Sequence, residues 1–430
     1  MPRRNIVLTL GVILFSLLCY ARADRNPHGR YFAEILDQVD RHALETLPRQ
    51  QLYESGVRGM LSALDEHTGY SNQAESEQLN ELLDQEFAGI GIRLDMTATD
   101  GRLTILSPIF GSPAFKAGLR AGDQIEAING ESTRDLSMDD AVRRLRGPAG
   151  QAVTLLVLHP GEKTPVEISV VRGRIQVESV VGDYRLPDGA WSFVLAADPQ
   201  IGYVRINTFG ARTVEELRGA LEAIEKAGCR ALVLDLRDNA GGLLTAGIEV
   251  ADLFLESGVI MTTRGRDGDV LDTYEAHPGG MLTGWPLAVL VNRYSASASE
   301  IVAAALQDHG RAVVVGERTW GKGTVQNVLK VEGGRALLRL TTAAYWRPSG
   351  RNIHRRRDAP QTEVWGVDPD PGLHVGLDED QRRKVNEHWE RRDIVGAPTP
   401  TPGSAAEALA DDPQLAKAVD YLQTRLKVGK

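Results

Sequence analysis

Residues 231–244 read A-L-V-L-D-L-R-D-N-A-G-G-L-L, an unbroken apolar run that stops at charged residues and a glycine pair before apolar residues resume. A short run with no polar alternation is a strand buried on both faces, and the glycines after it mark a turn into a helix. The same rhythm continues on both sides. I-G-Y-V-R-I at 201–206 precedes a helical stretch from Val214 to Gly228, and a further helix runs toward Leu255. P-L-A-V-L-V at Pro286–Val291 leads into S-A-S-A-S-E at Ser295–Glu300, and R-A-V-V-V-G-E follows. Strands alternating with helices from about Val177 to Asp370 predict a layered α/β core.

The flanks differ. Asp24 to about Gln85 is charged and helix-periodic, with Leu36, Val39, Leu44, Leu61 and Leu64 as spaced apolar positions and a turn at L-D-E-H-T-G-Y, Leu64–Tyr70. Such helices lack a core of their own and pack on a neighbour or a second subunit. From Phe87 to about Arg172, short β-like runs alternate with glycine turns, and amphipathic stretches lie at Ser112–Gly118 and Met138–Leu145, which predicts a compact small domain. T-P-T-P-G-S at Thr399–Ser404 reads as a linker, and Pro413–Leu426 as one amphipathic helix with Leu415, Ala418, Val419 and Leu422 on one face. That face suits docking on its own core or a dimer contact.

The 430 residues are enough for two or three domains, and a formal net charge of −9 argues against nonspecific nucleic-acid binding. The basic cluster Arg355, Arg356, Arg357 reads as a solvated loop. Arg3 and Arg4, the apolar run Ile6–Cys19 and Ala21-Arg22-Ala23 form a signal-peptide pattern, so the mature chain is expected to start at Asp24 in a periplasmic or cell-envelope compartment. An uncleaved anchor is the alternative, while Leu18 before Cys19 is too large for a lipoprotein signal. Cys229 would then be the single remaining thiol, expected as a small buried hydrophobe. No C-x-x-C or H-E-x-x-H occurs, so a zinc mechanism has no support; no metal and no cofactor are expected.

The chemistry gathers in two places. Ser297 follows a buried strand and opens a helix, where a serine serves as N-cap or as a nucleophile facing a cleft; Ser295 and Ser299 compete for both roles. Lys322 stands between Gly321 and Gly323, which permit close backbone approach. Burial there would lower its pKa and make the neutral amine a general base for Ser297, with Gln326 four residues on to orient it. The full phosphate-loop pattern is absent, since Gly323 follows Lys322. Gly241 or Gly242, with the Ala298 amide, could supply oxyanion donors. His309 offers a rival Ser-His-Asp triad, but its sequence context makes it a helix-end residue.

Together these stretches resemble the carboxyl-terminal processing, or tail-specific, proteases. The resemblance rests on L-D-L-R-D-N-A-G-G-L-L, S-A-S-A-S-E-I, A-L-Q-D-H-G, V-G-E-R-T-W-G-K-G-T-V-Q and Y-W-R-P-S-G-R, and covers about Leu64 to Asp370. It implies Ser297 as nucleophile, Lys322 as base, Gln326 as its orienting residue, and Gly241, Gly242 and Ala298 as oxyanion donors. The stretch G-S-P-A-F-K-A-G-L-R-A-G-D-Q-I-E-A-I-N-G is similar to a PDZ domain, which binds peptides as an added strand. By resemblance its peptide site would use Gly89, Ile90, Gly91 and Ile92, and Arg146 would couple PDZ position to the active site.

The implied organisation is a signal peptide (1–23), an N-terminal helical region (24–85), an inserted PDZ domain (86–172), a layered α/β Ser/Lys protease core (173–372) and a C-terminal linker and helix (373–430). Ala240 stands where the family commonly has proline, and Arg293-Tyr294 where glycines are frequent. The expected partners are protein or peptide substrates with accessible C-termini, with no nucleic acid. Two readings stay open: a constitutively active endopeptidase, or a latent protease or PDZ scaffold needing an activating partner. The helical ends also offer a route to a homo-oligomer. An acyl-CoA enzyme of similar layering has no nucleotide site to support it.

Overall fold

The computed structural model describes residues 5, 9–16, 27–95, 102–356, 360 and 363–428. The Ala21-Arg22-Ala23 cleavage signal, Cys19 and Arg357 lie outside them. No helix among the described residues is long and apolar enough to cross a membrane. The chain divides into two compact units.

The smaller unit comprises residues 1–73 and 326–341. The helices Pro27–His42 and Arg49–Ser62 precede the strand Gly69–Ser71, which pairs antiparallel with 337–339. The turn predicted at Leu64–Tyr70 is present, and Asp65 makes it. Its Oδ1 accepts from His67 N (2.7 Å) and Thr68 N (2.8 Å). A small core of Leu61, Tyr70 and Ala336 sits beside it. Pro27–His42 buries none of its residues within the unit, as expected of a helix without its own core.

The larger unit comprises residues 74–325 and 342–430. Its centre is a five-stranded sheet in sequential order: β1 (Val180–Val181), β2 (Ile201–Ile206), β3 (Ala231–Asp235), β4 (Leu287–Val291) and β5 (Val313–Gly316). β1 is antiparallel to β2, and the remaining pairs are parallel. Alternate side chains enter cores on opposite faces, so the runs are apolar apart from Arg205 and Asp235. Leu232, Leu234, Val289 and Val291 face a core shared with helices α1 (Thr213–Lys226), α2 (Leu244–Asp252) and α3 (Ala298–Asp308). Ala231, Val233, Ala288 and Leu290 face the opposite side, together with Leu415, Ala418, Val419 and Leu422. Cys229 is buried in the first of these cores.

The C-terminal segment holds three helices: α4 (Glu379–Arg392), α5 (Pro402–Ala410) and α6 (Pro413–Val428). The face predicted on α6 docks on its own sheet. α4 is so charged that periodicity hides it, since it buries only Val385 and Trp389. The supposed linker is in part the start of α5, with Thr401 as N-cap and Pro402 at the first helical position, where a missing N–H costs nothing.

The inserted domain is a six-stranded sheet. Its path runs Ile92–Asp95, Thr104–Pro108, Gln124–Ile128, Ala152–Leu158 and Val166–Val171, with Glu131–Ser132 pairing beside Gln124–Ile128. The helices Pro113–Lys116 and Met138–Leu145 begin where the amphipathic stretches predict, capped by Ser112 and Ser137. The insertion joins the core through a ribbon of Glu86–Gly89 paired with Gly173–Gln176. Gln85 pins that ribbon: its Oε1 accepts from Arg212 N (2.8 Å) and its Nε2 donates to Val177 O (3.2 Å).

Candidate active site

Parallel strands deliver their following loops to one edge of a sheet, and the site forms at the carboxyl ends of β3 and β4. After β4 the chain turns through Ser295, Ala296 and Ser297 into α3. Ser295 is wholly buried, and its hydroxyl donates to Leu236 O (2.8 Å). Ser299 is equally buried, and its hydroxyl donates to Asn239 O (2.9 Å). Both therefore lock the β3 and β4 loops together. Ser297 differs. It retains 8% exposure and stands at the N-cap position with φ 58° and ψ −117°. A non-glycine residue there carries strain of about 1–3 kcal/mol, which the surrounding bonds must hold. Its side chain hydrogen-bonds with the Tyr345 hydroxyl, whose pKa burial pushes up to about 12.

The turn after β3 lies directly against this serine. A Cβ on Gly241 would fall 2.7 Å from Ser297 Cβ and 3.1 Å from Ala298 N, and Gly241 has φ +101°. A Cβ on Gly242 would fall 2.1 Å from Phe209 O. Only glycine fits either place. The two amides are not equivalent. Gly241 N–H donates to Asn239 Oδ1 (2.8 Å). Gly242 N–H stands outside the adjacent bridge, whose bonds run from Phe209 N to Gly241 O (3.0 Å) and from Leu243 N to Phe209 O (2.7 Å). Ala298 opens α3, so its N–H has no intrahelical acceptor.

Lys322 is half-buried. Its flanking glycines are forced by close approach: a Cβ on Gly323 would meet His354 N at 2.3 Å, and one on Gly321 would meet Trp365 and Arg355 side-chain atoms below 3 Å. Gln326 follows on the strand Thr324–Val331, in the smaller unit.

The side chain that joins the two motifs is Glu300. It is fully buried, and four donors converge on its carboxylate. Thr319 Oγ1 and Gly321 N (2.7 Å) donate to Oε1. Ser297 N (2.9 Å) and Lys322 N (2.8 Å) both donate to Oε2. One oxygen thus holds the backbone of Ser297 and the backbone of Lys322 at hydrogen-bond distance. Burial pushes the carboxyl up to about 7, against the pull of these four bonds. Sequence reasoning passed over Glu300. Its signal was the capping-box spacing S-x-x-E from Ser297.

A second missed network lies beside it. Arg237, 1% exposed, binds Asp235 through Nε (3.0 Å) and Nη2 (2.6 Å) and Asp412 through Nη1 (2.8 Å) and Nη2 (2.9 Å). Tyr203 donates to Asp235 as well (2.8 Å). Burial raises the Asp235 carboxyl, but the Arg237 charge and bonds outweigh it and hold the group below its ordinary range. This network ties the loop carrying Gly241 to the start of α6. His309, by contrast, caps the far end of α3 and bonds Val259 O through Nε2 (2.8 Å).

In the inserted domain, Gly89 ends the connecting ribbon and Ile90 is buried. Ile90 O accepts from Ala114 N (2.9 Å). Gly91, at φ +80°, leaves no room for a Cβ, which would meet Ser112 Cβ at 2.4 Å. Ile92 begins the strand at one edge of the inserted domain's sheet. Arg146 pairs with Glu81 (2.6 Å) and lies 5.2 Å from the Phe87 ring centre.

Residues 200–371 match Peptidase family S41, and residues 104–158 match a PDZ domain. The chain is 34% identical to a carboxy-terminal-processing protease of Bartonella bacilliformis, over 98% of this chain and 96% of that one. It is 37% identical to a carboxyl-terminal-processing protease of Synechocystis, over 74% of this chain and 71% of that one. A solved S41-protease structure from Bacteroides fragilis aligns over 90% of this chain and 97% of its own, at TM-score 0.52 and 16% identity, a likeness of fold.

Proposed function

This chain belongs to peptidase family S41, the carboxyl-terminal processing proteases, and from that premise we propose that it is an exported endopeptidase that cuts envelope proteins through a Ser297–Lys322 dyad. The observation that carries the dyad is the shared Glu300 Oε2, which holds the Ser297 and Lys322 backbones together. The neutral Lys322 amine takes the Ser297 proton as Oγ attacks the scissile carbonyl. The tetrahedral oxyanion is met by Ala298 N–H and Gly242 N–H; the Gly241 N–H is turned to Asn239 and serves to hold the loop. Lys322 then returns the proton to the leaving amine, and water hydrolyses the acyl ester with Lys322 again as base. The family resemblance supports Gln326 as the residue that orients this amine.

The PDZ domain would present substrate tails, pairing an extended C-terminal segment with the edge strand Ile92–Asp95 while the loop through Gly89, Ile90 and Gly91 holds the terminal carboxylate. The alternative, a latent enzyme waiting for a partner, is favoured by the tethering of that domain. Arg93 Nη1 pairs with Asp393 Oδ2 (3.0 Å), and Val395 N donates to Ser107 Oγ (3.1 Å).

The deciding experiment is cleavage of an unfolded protein by purified residues 24–430, beside Ser297→Ala and Lys322→Ala. Loss in both variants with folding retained supports an active dyad enzyme, and cleavage surviving either one overturns it. No cleavage by the unsubstituted chain supports the latent form.

A further inference from the structure

One buried titratable group at the site has no part in the mechanism above. Tyr345 lies near the end of the strand Ala336–Trp346, is 4% exposed, and belongs to the larger unit. Its ring packs in the core that contains Ala298, Ile301 and Val302 of α3. Its backbone is fixed on both sides. Thr262, Thr263 and Arg264 of the strand Val259–Arg264 pair antiparallel with Trp346, Tyr345 and Ala344. Tyr345 N donates to Gly323 O (2.8 Å), one residue beyond Lys322. The same residue thus holds the backbone beside the base and, through its hydroxyl, meets the side chain of Ser297. A group placed by strand pairing and core packing keeps its aim better than one on a loop.

The titratable groups that face this hydroxyl are Glu300 on α3 and Tyr274 on the strand Val270–Glu275. Burial pushes its pKa up to about 12, with Tyr274 and Glu300 adding to the rise and Ser297 opposing it. The phenol therefore keeps its proton at neutral and mildly alkaline pH. Two hydroxyls in contact leave the direction of donation open, and the dyad decides it. Ser297 Oγ gives its single proton to Lys322, so it meets Tyr345 as an acceptor.

We propose that Tyr345 is a further catalytic residue, whose hydroxyl donates to Ser297 Oγ and stabilises the negative charge that develops there. The role rests on the Ser297–Lys322 reading. As Oγ bonds to the scissile carbonyl carbon, its proton moves to Lys322 and the carbonyl electron pair moves to the oxyanion. In deacylation Lys322 takes a proton from the attacking water, and Oγ leaves with the bonding pair and receives that proton. The phenol proton stays on Tyr345 throughout. An ester oxygen is a weak acceptor, so the bond is strongest while Oγ is bonding or leaving. A contact stronger in the transition state than in the ground state raises kcat.

The test is Tyr345→Phe in purified residues 24–430, which removes the hydroxyl and keeps the ring. With β-casein as substrate, kcat should fall about tenfold or more while KM stays within about twofold. A second measurement does not depend on how that variant folds. Difluorotyrosine at position 345 keeps the bond but ionises at lower pH, so its rate should fall on the alkaline side while the parent's holds. A role in packing alone produces no such fall. Ser297→Ala and Lys322→Ala are measured beside them. If these two are inactive, a Tyr345→Phe rate within about twofold of the parent, a faster rate, or a difluorotyrosine protein without the alkaline fall would each overturn the proposal and leave the dyad standing. Cleavage surviving Ser297→Ala would overturn both. Where the parent does not cleave, labelling of Ser297 by a fluorophosphonate, in which Oγ displaces fluoride from phosphorus, replaces the assay, with the same loss of about tenfold expected in Tyr345→Phe. A parent that is not labelled either would show that the contact between the two hydroxyls does not activate Ser297, and overturn the proposal.

Discussion

Glu300→Gln separates the two demands on this buried carboxylate. In the protein two donors meet each oxygen: Thr319 Oγ1 and Gly321 N at Oε1, Ser297 N and Lys322 N at Oε2. A glutamine keeps one oxygen and places an NH2 group against the other pair, so two hydrogen bonds to a charged group are lost. At about 1.5–3 kcal/mol each, the local cost is about 3–6 kcal/mol, enough to release either Ser297 or Lys322 from its position. The cleavage rate should fall at least about a hundredfold.

The pH dependence makes the reasoning specific. Burial raises the folded-state pKa from the ordinary 4.5 to about 7. Between those values the folded protein binds more protons than the unfolded chain. The group's contribution to stability is therefore fully present below about 4.5 and is lost as pH rises through about 7, an amount of about 3 kcal/mol. Activity should move in the opposite direction. Protonation below about 7 puts a hydroxyl where a donor needs an acceptor, so cleavage falls as pH falls. The assay is urea unfolding from pH 5 to 8.5 beside initial rates on an unfolded protein. The unsubstituted chain should lose stability with rising pH while gaining rate, and Glu300→Gln should abolish that stability trend. A variant that cleaves within about threefold of the parent, or one whose stability curve keeps the parent's slope, would refute the argument.

Other substitutions probe neighbouring parts of the fold. Gly242→Ala forces a Cβ onto Phe209 O and should lower kcat by about 10² or more in steady-state cleavage, with the melting temperature checking the fold. Arg237→Leu leaves Asp235 and Asp412 buried without their cation and should destabilise the protein by about 3–5 kcal/mol in denaturant titration. Leu422→Ala opens a cavity between α6 and the central sheet and should cost about 2–5 kcal/mol by the same method. His309→Ala should leave the cleavage rate within about twofold, since the ring bonds Val259 O at the far end of α3; a large loss would revive the Ser-His-Asp reading.

What the sequence made legible follows from burial. β3 and β4 are covered on both faces, so every position but Asp235 is apolar, and their runs announced a layered α/β core before any geometry was known. The helices of the inserted domain were legible as amphipathic stretches, and the structure adds their serine caps. α4 was not, because a helix that buries two residues and solvates the rest leaves almost no periodic signal. The site divides in the same way. Ser297, Lys322 and the glycine pair stood in short local patterns. Choosing among Ser295, Ser297 and Ser299 required knowing which hydroxyls bond backbone carbonyls, and those carbonyls sit 59 and 60 residues away.

The Arg237 network shows why some machinery escapes a one-dimensional reading. Asp235 and Arg237 lie two residues apart, but the partner that completes the network, Asp412, is 175 residues from Arg237. No local pattern links an arginine after a strand to an aspartate before the last helix. Physically the link is demanding. A guanidinium 1% exposed is tolerable only if its donors are satisfied and its charge is balanced. Two carboxylates flank it, and Gln414 Oε1 lies 3.2 Å from Nη1. Asp412 also accepts from Leu415 N (3.0 Å), so it caps α6 while it holds Arg237. Docking of the last helix and fixing of the loop that carries Gly241 are therefore one event. Truncation before Asp412 should strip Arg237 of half its counter-charge and lower both stability and cleavage, although no residue of α6 belongs to the proposed catalytic set. Cleavage at the parent's rate by residues 24–410, with stability unchanged, would show the two to be independent.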